Sequence, residues 1–209
     1  MALELPPLYA ILDPEQTRGR PAERVLTGLL EAGVSILQLR VKSLPPVDFL
    51  ELAKDARTAT RAHDCKLIIN DRIDIALACD ADGVHLGQDD LPLSAGRKLM
   101  GKKIVGISTH DLDQAHAAER DGADYIGFGP IFGTTTKATG YEARGLEMLK
   151  QIRRAVKLPI VAIGGIMEEN VRNVWQAGAN SAAIISDILR ADNIATKARR
   201  IAAVYGDDN

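Results

Sequence analysis

Two acidic residues lie where this sequence could hold a divalent metal ion. Asp71 directly follows the apolar run 67–69, and Asp90 comes shortly after a second apolar run that ends at Leu86. If both runs are strands of one parallel sheet, both carboxylates project from the same edge of that sheet. Carboxylate oxygens suit Mg²⁺, which usually binds one or two of them together with substrate phosphates. The spacing therefore predicts a magnesium site formed by Asp71 and Asp90.

Basic residues at another strand end would complete an anion site around this metal. Gln38, Arg40 and Lys42 alternate along the run 36–41 and just beyond it, so period-2 geometry places all three on one face. A buried strand face with three such groups is costly unless the groups meet an anion. The alternative is a layer of salt bridges inside the protein. With the metal, these cations predict an enzyme that acts on a diphosphate.

Further polar residues follow other strand-like runs. Asn70 adds an amide next to Asp71, and Ser108 adds a hydroxyl after the run 104–107. The segment 129–140 is rich in glycine and hydroxyl side chains, which is typical of a loop that closes over an anion. Its hydroxyl side chains and its one lysine, Lys137, could contact such an anion. A solvated surface loop is the alternative for this segment.

A second anion site is predicted near the carboxyl-terminal end of the chain. Gly165 follows the run 160–163, and Ile185 and Ser186 end the run 182–186. Loops after the seventh and eighth strands of (β/α)₈ barrels, with a short extra helix, commonly bind phosphate through backbone N–H groups. Glycine allows a phosphate to approach the backbone closely.

Some of these residues also have ordinary structural interpretations. Asp71 could cap a helix that begins near Ile73, and Asp90 could cap one that begins near Pro92, because aspartate is a favoured N-cap. His85 lies within a strand-like run, where a lone histidine is more often a hydrogen-bonded core residue than a catalytic one. Contact with an aromatic ring of a substrate is the other interpretation. The two acidic residues together, beside several cations, favour metal binding over capping.

The elements that must position these residues alternate along the whole chain. Helix-like segments with apolar residues three and four apart, such as Val25 and Leu29, separate eight short apolar runs. We expect strands at residues 9–12, 36–41, 67–70, 83–86, 104–107, 125–129, 160–163 and 182–186. This pattern predicts an α/β fold, a single (β/α)₈ TIM barrel over residues 1–209.

A short repeat supports the barrel. Residues 31–34, 80–83, 121–124 and 177–180 each contain glycine or aspartate where a helix-like segment meets the next strand. We expect glycine to form the left-handed cap that ends each helix. Such turns lie on the face of the barrel that serves stability, so function is expected at the opposite rim.

Composition excludes several classes of partner and location. The formal net charge of −2 gives no support for nucleic-acid binding or for binding to an anionic membrane. No apolar run reaches the roughly 18 residues needed to span a bilayer, and the amino terminus lacks the pattern of a signal peptide. Cys65 and Cys79 show no paired spacing, so we expect buried, reduced thiols in a cytoplasmic protein.

Several ordered motifs resemble the thiamin phosphate synthase family over nearly the whole chain. They are Gln-Leu-Arg-Val-Lys at 38–42, Asn-Asp-Arg at 70–72, the stretch 82–90, Gly-Ile-Ser-Thr-His at 106–110, the loop 129–137 and Gly-Gly-Ile at 164–166. The resemblance implies a Mg²⁺-dependent transferase that couples 4-amino-2-methyl-5-hydroxymethylpyrimidine diphosphate to 4-methyl-5-(2-phosphoethyl)thiazole and releases pyrophosphate. Both partners are small molecules, and an exposed apolar helix face could also support a homodimer.

The resemblance also implies a role for each matching residue. Asp71 and Asp90 would hold Mg²⁺, and the diphosphate would be surrounded by Arg40, Lys42, Asn70, Ser108, Thr134, Thr136 and Lys137. The pyrimidine would be bordered by Gln38 and His85, with Tyr9 as a weaker candidate. The thiazole phosphate would be bound by Gly165, Ile185 and Ser186. Asn180-Ser181 departs from the Asp-Gly common in the family, and we expect no effect of this change on the chemistry.

Rival functions remain open at the level of sequence. A thiazole tautomerase-like barrel would share the phosphate site but would need an acid/base residue in place of the metal. A sugar-phosphate epimerase or an isomerase of tryptophan biosynthesis would need a pair of proton-transfer residues, which the sequence does not clearly offer. A non-catalytic barrel that binds the thiazole phosphate would leave the cluster of cations unexplained.

Overall fold

Eight parallel strands close into one barrel in the computed structural model, which describes residues 3–133 and 141–206. Each strand pairs with its neighbours in the sequence, and the first strand pairs with the last. The strands are β1 (Leu8–Leu12), β2 (Ile36–Leu39), β3 (Lys66–Asn70), β4 (Gly83–Leu86), β5 (Ile104–Thr109), β6 (Tyr125–Phe128), β7 (Ile160–Ile163) and β8 (Ser181–Ile184). The predicted (β/α)₈ barrel is confirmed.

Helices connect the strands and cover the outside of the barrel. In the described residues they are α1 (Ala22–Glu31), α2 (Pro46–Ala62), α3 (Ile73–Ala78), α4 (Leu93–Met100), α5 (Leu112–Arg120), α6 (Gly145–Ala155), α7 (Val171–Gln176), α8 (Ser186–Leu189) and α9 (Ile194–Gly206). A 3₁₀ turn, Pro14–Gln16, follows β1. The single turn α8 is the short extra helix expected after β8. None of these helices has the length and hydropathy needed to cross a membrane.

The strand residues divide into two cores because successive side chains point to opposite faces. One set packs against the helices and forms the larger core. The other set fills the barrel interior and includes Tyr9, Ile36, Ile68, Tyr125 and Val161. Since the interior is filled at this level, a ligand can enter only from one end of the barrel.

Three strands end earlier than predicted, and β6 does so by one residue, at Phe128. β2 ends at Leu39 instead of Val41, although the Arg40 N–H still donates to the Leu12 carbonyl at 2.9 Å. β8 ends at Ile184 because Ile185 leaves the extended conformation (φ −111°, ψ −82°) and Ser186 begins α8. After β2 and β8 the chain turns away from the sheet at the rim, so Arg40 lies beyond its strand and Ser186 lies at the start of a helix.

The left-handed helix caps follow the repeat with one exception. Gly33, Gly122 and Gly178 have φ values of +81°, +87° and +103°, as expected. After α3 the left-handed residue is Asp80 (φ +53°), whereas Gly83 is the first residue of β4. The expectation that glycine caps every copy is therefore wrong at this turn, where an aspartate tolerates the conformation.

The same turns contain a repeated side-chain contact that ties alternate strands to the helices. Asp82 accepts hydrogen bonds from the Leu67 N–H at 2.8 Å and from Arg57 at 2.6 Å. Asp124 accepts from the Val105 N–H at 2.8 Å and from Arg97 at 2.5 Å. Each contact joins a strand to the arginine of a nearby helix at the end of the barrel away from the predicted site.

Asn180 occupies the equivalent place before β8. Its Oδ1 accepts from the Ile160 N–H at 2.9 Å and from Arg153 at 3.1 Å. The departure from the family pattern thus keeps both hydrogen bonds and removes only the negative charge. The contact lies on the stability face, as the sequence predicted.

We expect Asn180→Asp to stabilise the fold, because a carboxylate makes charge-assisted hydrogen bonds to Arg153 and to the Ile160 N–H. For a partly exposed pair the gain should be about 0.5–1 kcal/mol, which is a rise of roughly 1–4 °C in Tm for a chain of this size. Thermal unfolding measures the gain. The same substitution in an Arg153→Met background is the control, and an equal gain there would contradict the assigned pairing.

Candidate active site

A cavity of about 280 Å³ opens at the carboxyl-terminal end of the barrel. Eight of the predicted site residues line it, namely Gln38, Arg40, Asn70, His85, Ser108, Gly165, Ile185 and Ser186. Lys42, Asp71 and Asp90 contact one another next to this cavity and do not line it. Thr134, Thr136 and Lys137 lie outside the described residues. The rim thus brings most of the predicted residues to one place.

Asp71 is aimed into the rim by an unusual backbone conformation. Its φ is +61°, the left-handed region that non-glycine residues rarely adopt, and its N–H donates to the His85 carbonyl at 2.8 Å. Such a conformation costs on the order of 1–3 kcal/mol and persists where the surrounding structure holds it. The N-cap of α3 is Arg72, with no side-chain cap. The interpretation of Asp71 as a helix cap is therefore wrong.

Asp90 is held by its own turn and also does not cap a helix. Its Oδ2 accepts the Gly87 N–H at 2.6 Å, whereas the N-cap position of α4 is Pro92. A side chain at Gly87 would place its Cβ 3.0 Å from this same oxygen, so glycine leaves room for the carboxylate. The two carboxyl groups can thus form a hydrogen bond with each other at the rim.

The two carboxyl groups differ in how readily they ionise. Burial and the hydrogen bond to Asp71 raise the pKa of Asp90 above its ordinary value. Burial acts in the same direction on Asp71, but hydrogen bonds with Lys42 and Asp90 outweigh it and lower the pKa of that carboxyl. Lys42 forms an ion pair with Asp71. Negative charge therefore accumulates at this pair, and one lysine only partly compensates it.

These residues fit a magnesium ion that is shared with a substrate. No cluster of three or more histidine, cysteine and acidic side chains suited to a metal occurs in residues 3–133 and 141–206, so the protein would supply two carboxylates. Mg²⁺ commonly binds in this way, with waters and phosphate oxygens as its other ligands. A divalent cation would also favour ionisation of both carboxyl groups.

Arg40 has a carboxylate partner that the sequence did not reveal. It forms an ion pair with Asp13, whose side chain is only 1% exposed and also accepts the Glu15 N–H at 3.0 Å. Asp13 is thereby the N-cap of the 3₁₀ turn after β1. The salt-bridge alternative is correct for this one arginine, which still lines the cavity. The Asp13 carboxylate therefore lowers the positive charge that we expected at the rim.

A chain of hydrogen bonds crosses the floor of the cavity. Gln38 Nε2 donates to the Tyr9 hydroxyl at 3.0 Å, and the Tyr9 and Tyr125 hydroxyls are 2.7 Å apart. The Tyr125 hydroxyl lies 3.0 Å from His85 Nδ1, and His85 Nε2 lies 3.0 Å from Ser108 Oγ. The chain thus connects β2, β1, β6, β4 and β5.

The donor is defined at one end of this chain. Burial raises the pKa of both tyrosines above the ordinary value, so both phenols stay protonated. Gln38 donates to the Tyr9 oxygen, which can also donate to or accept from the Tyr125 hydroxyl. The tautomer of His85 sets the direction of its contacts with Tyr125 and Ser108. The chain holds both tyrosine rings and the His85 ring in place beneath the cavity.

Glycines in neighbouring strands make room for these rings. A Cβ at Gly106 would lie 2.1 Å from Tyr125 Cζ, and a Cβ at Gly127 would lie 2.9 Å from His85 Cε1. Both glycines point into the barrel by strand alternation. This pattern of an inward aromatic residue facing an inward glycine was present in the sequence and could have identified Tyr125.

The second predicted anion site lies on the opposite side of the cavity. Gly164 and Gly165 have φ values of +100° and +64°, and a Cβ at Gly165 would lie 2.6 Å from the Gly133 carbonyl oxygen. Within residues 3–133 and 141–206, the Gly165 amide donates to no acceptor. Ile185 and Ser186 line the cavity from the next loop.

One rim residue was given no role by the sequence. His110 lines the cavity, and its Nδ1 lies 2.6 Å from the Gly129 carbonyl oxygen. Its ring stacks on Tyr141, with the ring centroids 3.8 Å apart. Tyr141 follows the loop after β6, so this stack joins that loop to the end of β5.

We expect Tyr125→Phe to destabilise the fold by about 1–3 kcal/mol, because it leaves the Tyr9 hydroxyl and His85 Nδ1 without their shared partner. Urea unfolding measures the loss in free energy. Tyr205→Phe is the matched control, since this tyrosine is partly exposed, and it should change stability by less than about 0.5 kcal/mol. Equal effects of the two substitutions would contradict the buried chain.

Comparison with known proteins identifies a family for this chain. A family model described as thiamine monophosphate synthase matches residues 8–188. The thiamine-phosphate synthase of Chloroflexus aurantiacus is 44% identical over 197 residues, which cover 94% of this chain and 91% of the relative. That of Moorella thermoacetica is 45% identical over 198 residues and covers 94% of each chain.

A solved structure agrees with these relatives. Thiamine phosphate pyrophosphorylase from Pyrococcus furiosus superposes with a TM-score of 0.89 at 33% identity and covers 96% of both chains. The family predicted from the sequence motifs is thereby confirmed, together with its transferase activity. The chain belongs to the thiamine monophosphate synthase family.

Proposed function

We propose that the rim carries out Mg²⁺-dependent coupling of 4-amino-2-methyl-5-hydroxymethylpyrimidine diphosphate to 4-methyl-5-(2-phosphoethyl)thiazole. The observation that carries this proposal is the position of two anion sites on opposite sides of one cavity. The acidic pair with Lys42 lies at one side, and the loops after β7 and β8 lie at the other. Such a cavity suits two rings that each carry phosphate at the outer end.

The diphosphate belongs at the side of Asp71 and Asp90. These carboxylates hold Mg²⁺, which neutralises the charge of the departing pyrophosphate when it is bound. The remaining charge and hydrogen bonds come from Arg40, Lys42, Asn70, Ser108, Thr134, Thr136 and Lys137. Asp13 keeps Arg40 in place, and the contact with His85 holds the Ser108 side chain at the rim beside the diphosphate.

The pyrimidine lies over the floor of the cavity, and the thiazole phosphate lies at the opposite side. Gln38 and His85 border the pyrimidine, and their contacts with Tyr9 and Tyr125 hold them in place against this ring. The thiazole phosphate is bound by Gly165, Ile185 and Ser186 through backbone N–H groups. Gly165 permits this because its amide is without an acceptor in the described part of the chain.

The reaction needs positioning and electrostatic stabilisation more than proton transfer. The thiazole nitrogen attacks with its own lone pair, while the pyrimidine stabilises positive charge on its exocyclic CH₂ as the C–O bond to pyrophosphate breaks. The new C–N bond gives thiamin phosphate, and pyrophosphate leaves with the electron pair of the broken bond. Preorganised charges at the leaving group are the main catalytic contribution expected of such a site.

The acidic pair favours this reaction over its rivals. A thiazole tautomerase-like barrel requires an acid/base residue near the thiazole, and a non-catalytic thiazole-phosphate-binding barrel requires no metal. Neither explains why Asp71 is placed next to Asp90 and Lys42. As further parts of the proposal, the chain is one catalytic domain, acts in the cytoplasm and forms a homodimer.

The direct test is incubation of the purified protein with both substrates and Mg²⁺, with and without EDTA, while thiamin phosphate and pyrophosphate are measured. Formation of both products in equal amounts, abolished by EDTA and restored by added Mg²⁺, is the expected result. Binding of the thiazole phosphate without any product would instead support the tautomerase-like or the non-catalytic barrel.

We expect Lys42→Met to separate metal binding from catalysis. Without the lysine, Asp71 loses its ion-pair partner, so the free protein should bind Mg²⁺ several-fold more tightly. The diphosphate loses one charge contact, so kcat should fall by about 10²-fold. Calorimetric titration with Mg²⁺ and steady-state kinetics measure the two effects.

The control for this variant is Lys54→Met, which removes an exposed lysine that pairs with Glu51 at 2.8 Å on the outer helix α2. It should change neither the affinity for Mg²⁺ nor kcat. Unchanged or weaker Mg²⁺ binding by Lys42→Met would show that the lysine does not compete with the metal for Asp71.

A further inference from the structure

The loop that contains Gly165 is held by hydrogen bonds within itself and to the next loop. Within the loop, Asn170 accepts the Met167 N–H at 2.8 Å through Oδ1 and donates to the Gly165 carbonyl at 3.0 Å through Nδ2. Toward the next loop, the Glu168 N–H donates to Asp187 Oδ2 at 2.8 Å. Asp187 belongs to α8 and directly follows Ser186. A single backbone-to-carboxylate bond thus joins the two segments that border the thiazole-phosphate side of the cavity.

A lysine from the last helix stabilises this junction. Lys197 Nζ lies 2.9 Å from Glu168 Oε2 and 3.0 Å from Asp187 Oδ1. The three side chains are each about one-fifth exposed, so solvent screens their charges only in part. Arg200, one turn further along α9, donates to Glu168 Oε1 at 2.6 and 2.9 Å. Helix α9 therefore places two cations against the junction.

Without these cations, the two carboxylates would face each other across the junction. Hydrogen bonding to Lys197 lowers the pKa of Glu168 below its ordinary value. Burial lowers the pKa of Lys197, but its hydrogen bonds to Glu168 and Asp187 outweigh burial and raise it. Both directions show that the cluster is charged at neutral pH and is held by attraction. Loss of the Lys197 ammonium would leave Arg200 paired with Glu168 but would remove the cation that lies between Glu168 and Asp187.

None of the three side chains lines the active-site cavity. They border a separate, more open cavity on the outside of the barrel, together with Arg172 and Arg200. The cluster therefore cannot contact a substrate in the active site, and it acts through the backbone of the two loops.

We propose that Lys197 is a positioning residue that sets the spacing between the loops after β7 and β8, and thereby the affinity for the thiazole phosphate. The inference rests on the proposed function, because it assigns this side of the cavity to that phosphate. Lys197, Glu168 and Asp187 form one unit in which the lysine holds two acidic loops together. A phosphate bound by backbone N–H groups of both loops is sensitive to this spacing.

The test is Lys197→Met. The expected result is a KM for the thiazole phosphate that rises roughly tenfold, with kcat and the KM for the pyrimidine diphosphate within about twofold of the unaltered protein. A merely structural role would lower the melting temperature and change all three constants together. The matched control is Lys150→Met, which removes an exposed lysine paired with Glu147 at 2.7 Å on α6 and should leave every constant unchanged.

A second variant distinguishes repulsion from general damage. In Lys197→Met/Asp187→Asn, one carboxylate becomes neutral while an amide oxygen can still accept the Glu168 N–H. The KM for the thiazole phosphate should return most of the way to its original value. The inference is overturned if this rescue fails or if the KM is unchanged in Lys197→Met. The proposed function still stands in that case, provided that the unaltered protein couples the two substrates.

Calorimetric binding of the thiazole phosphate gives a readout that does not depend on turnover. If the unaltered protein couples no substrates, the proposed function fails, but the ratio of the two dissociation constants still decides the role of Lys197. Roughly tenfold weaker binding by Lys197→Met supports the inference, and equal binding contradicts it.

Discussion

A charged side chain that is partly buried at the mouth of the barrel needs a partner of opposite charge, because the protein interior is a poor solvent for an isolated ion. In the described part of the chain, Arg40 pairs with Asp13 and Lys42 pairs with Asp71. These two pairs differ in function because Asp13 is almost completely buried, whereas Asp71 lies at the rim beside Asp90. The first pair fixes an arginine in place, and the second pair is more accessible. Under the proposed function, a metal ion and a diphosphate replace this second ion pair when substrate binds.

The barrel interior supports the proposed exchange through its hydrogen bonds. The floor of the cavity is a hydrogen-bonded chain from Gln38 to Ser108 that joins five strands. The charged groups at the rim lie outside this chain, among them Lys42 and Asp71. The loops after β7 and β8 are held differently, by a charged cluster outside the active-site cavity. Under the proposed function, one rim combines two ways of binding phosphate, with side chains and metal at one side and with main chain at the other.

Strand alternation and strand ends allowed the barrel and most of the rim to be predicted. Asp71, His85 and Ser108 each follow from the rule that function gathers where strands end. Asp13 could not be placed in the same way, because its role depends on Arg40, which is 27 residues distant in sequence. For Tyr125, alternation with the inward Gly106 gave a signal, but its partner Tyr9 is 116 residues distant. The helix-cap interpretation of Asp71 failed because the left-handed backbone at this residue is imposed by the tertiary structure. The exception at Asp80 has the same origin, since local pattern alone does not decide which residue takes a left-handed turn.

The central claim is that Asp71 and Asp90 jointly hold the metal that receives the pyrophosphate. The most direct measurement is a crystal structure with Mn²⁺ and pyrophosphate, in which anomalous scattering locates the metal. The account predicts one Mn²⁺ within about 2.5 Å of an oxygen from each carboxylate and from pyrophosphate, with Lys42 moved from Asp71 to a phosphate oxygen. A metal bound elsewhere, or an ion pair between Lys42 and Asp71 that persists beside bound pyrophosphate, would contradict it.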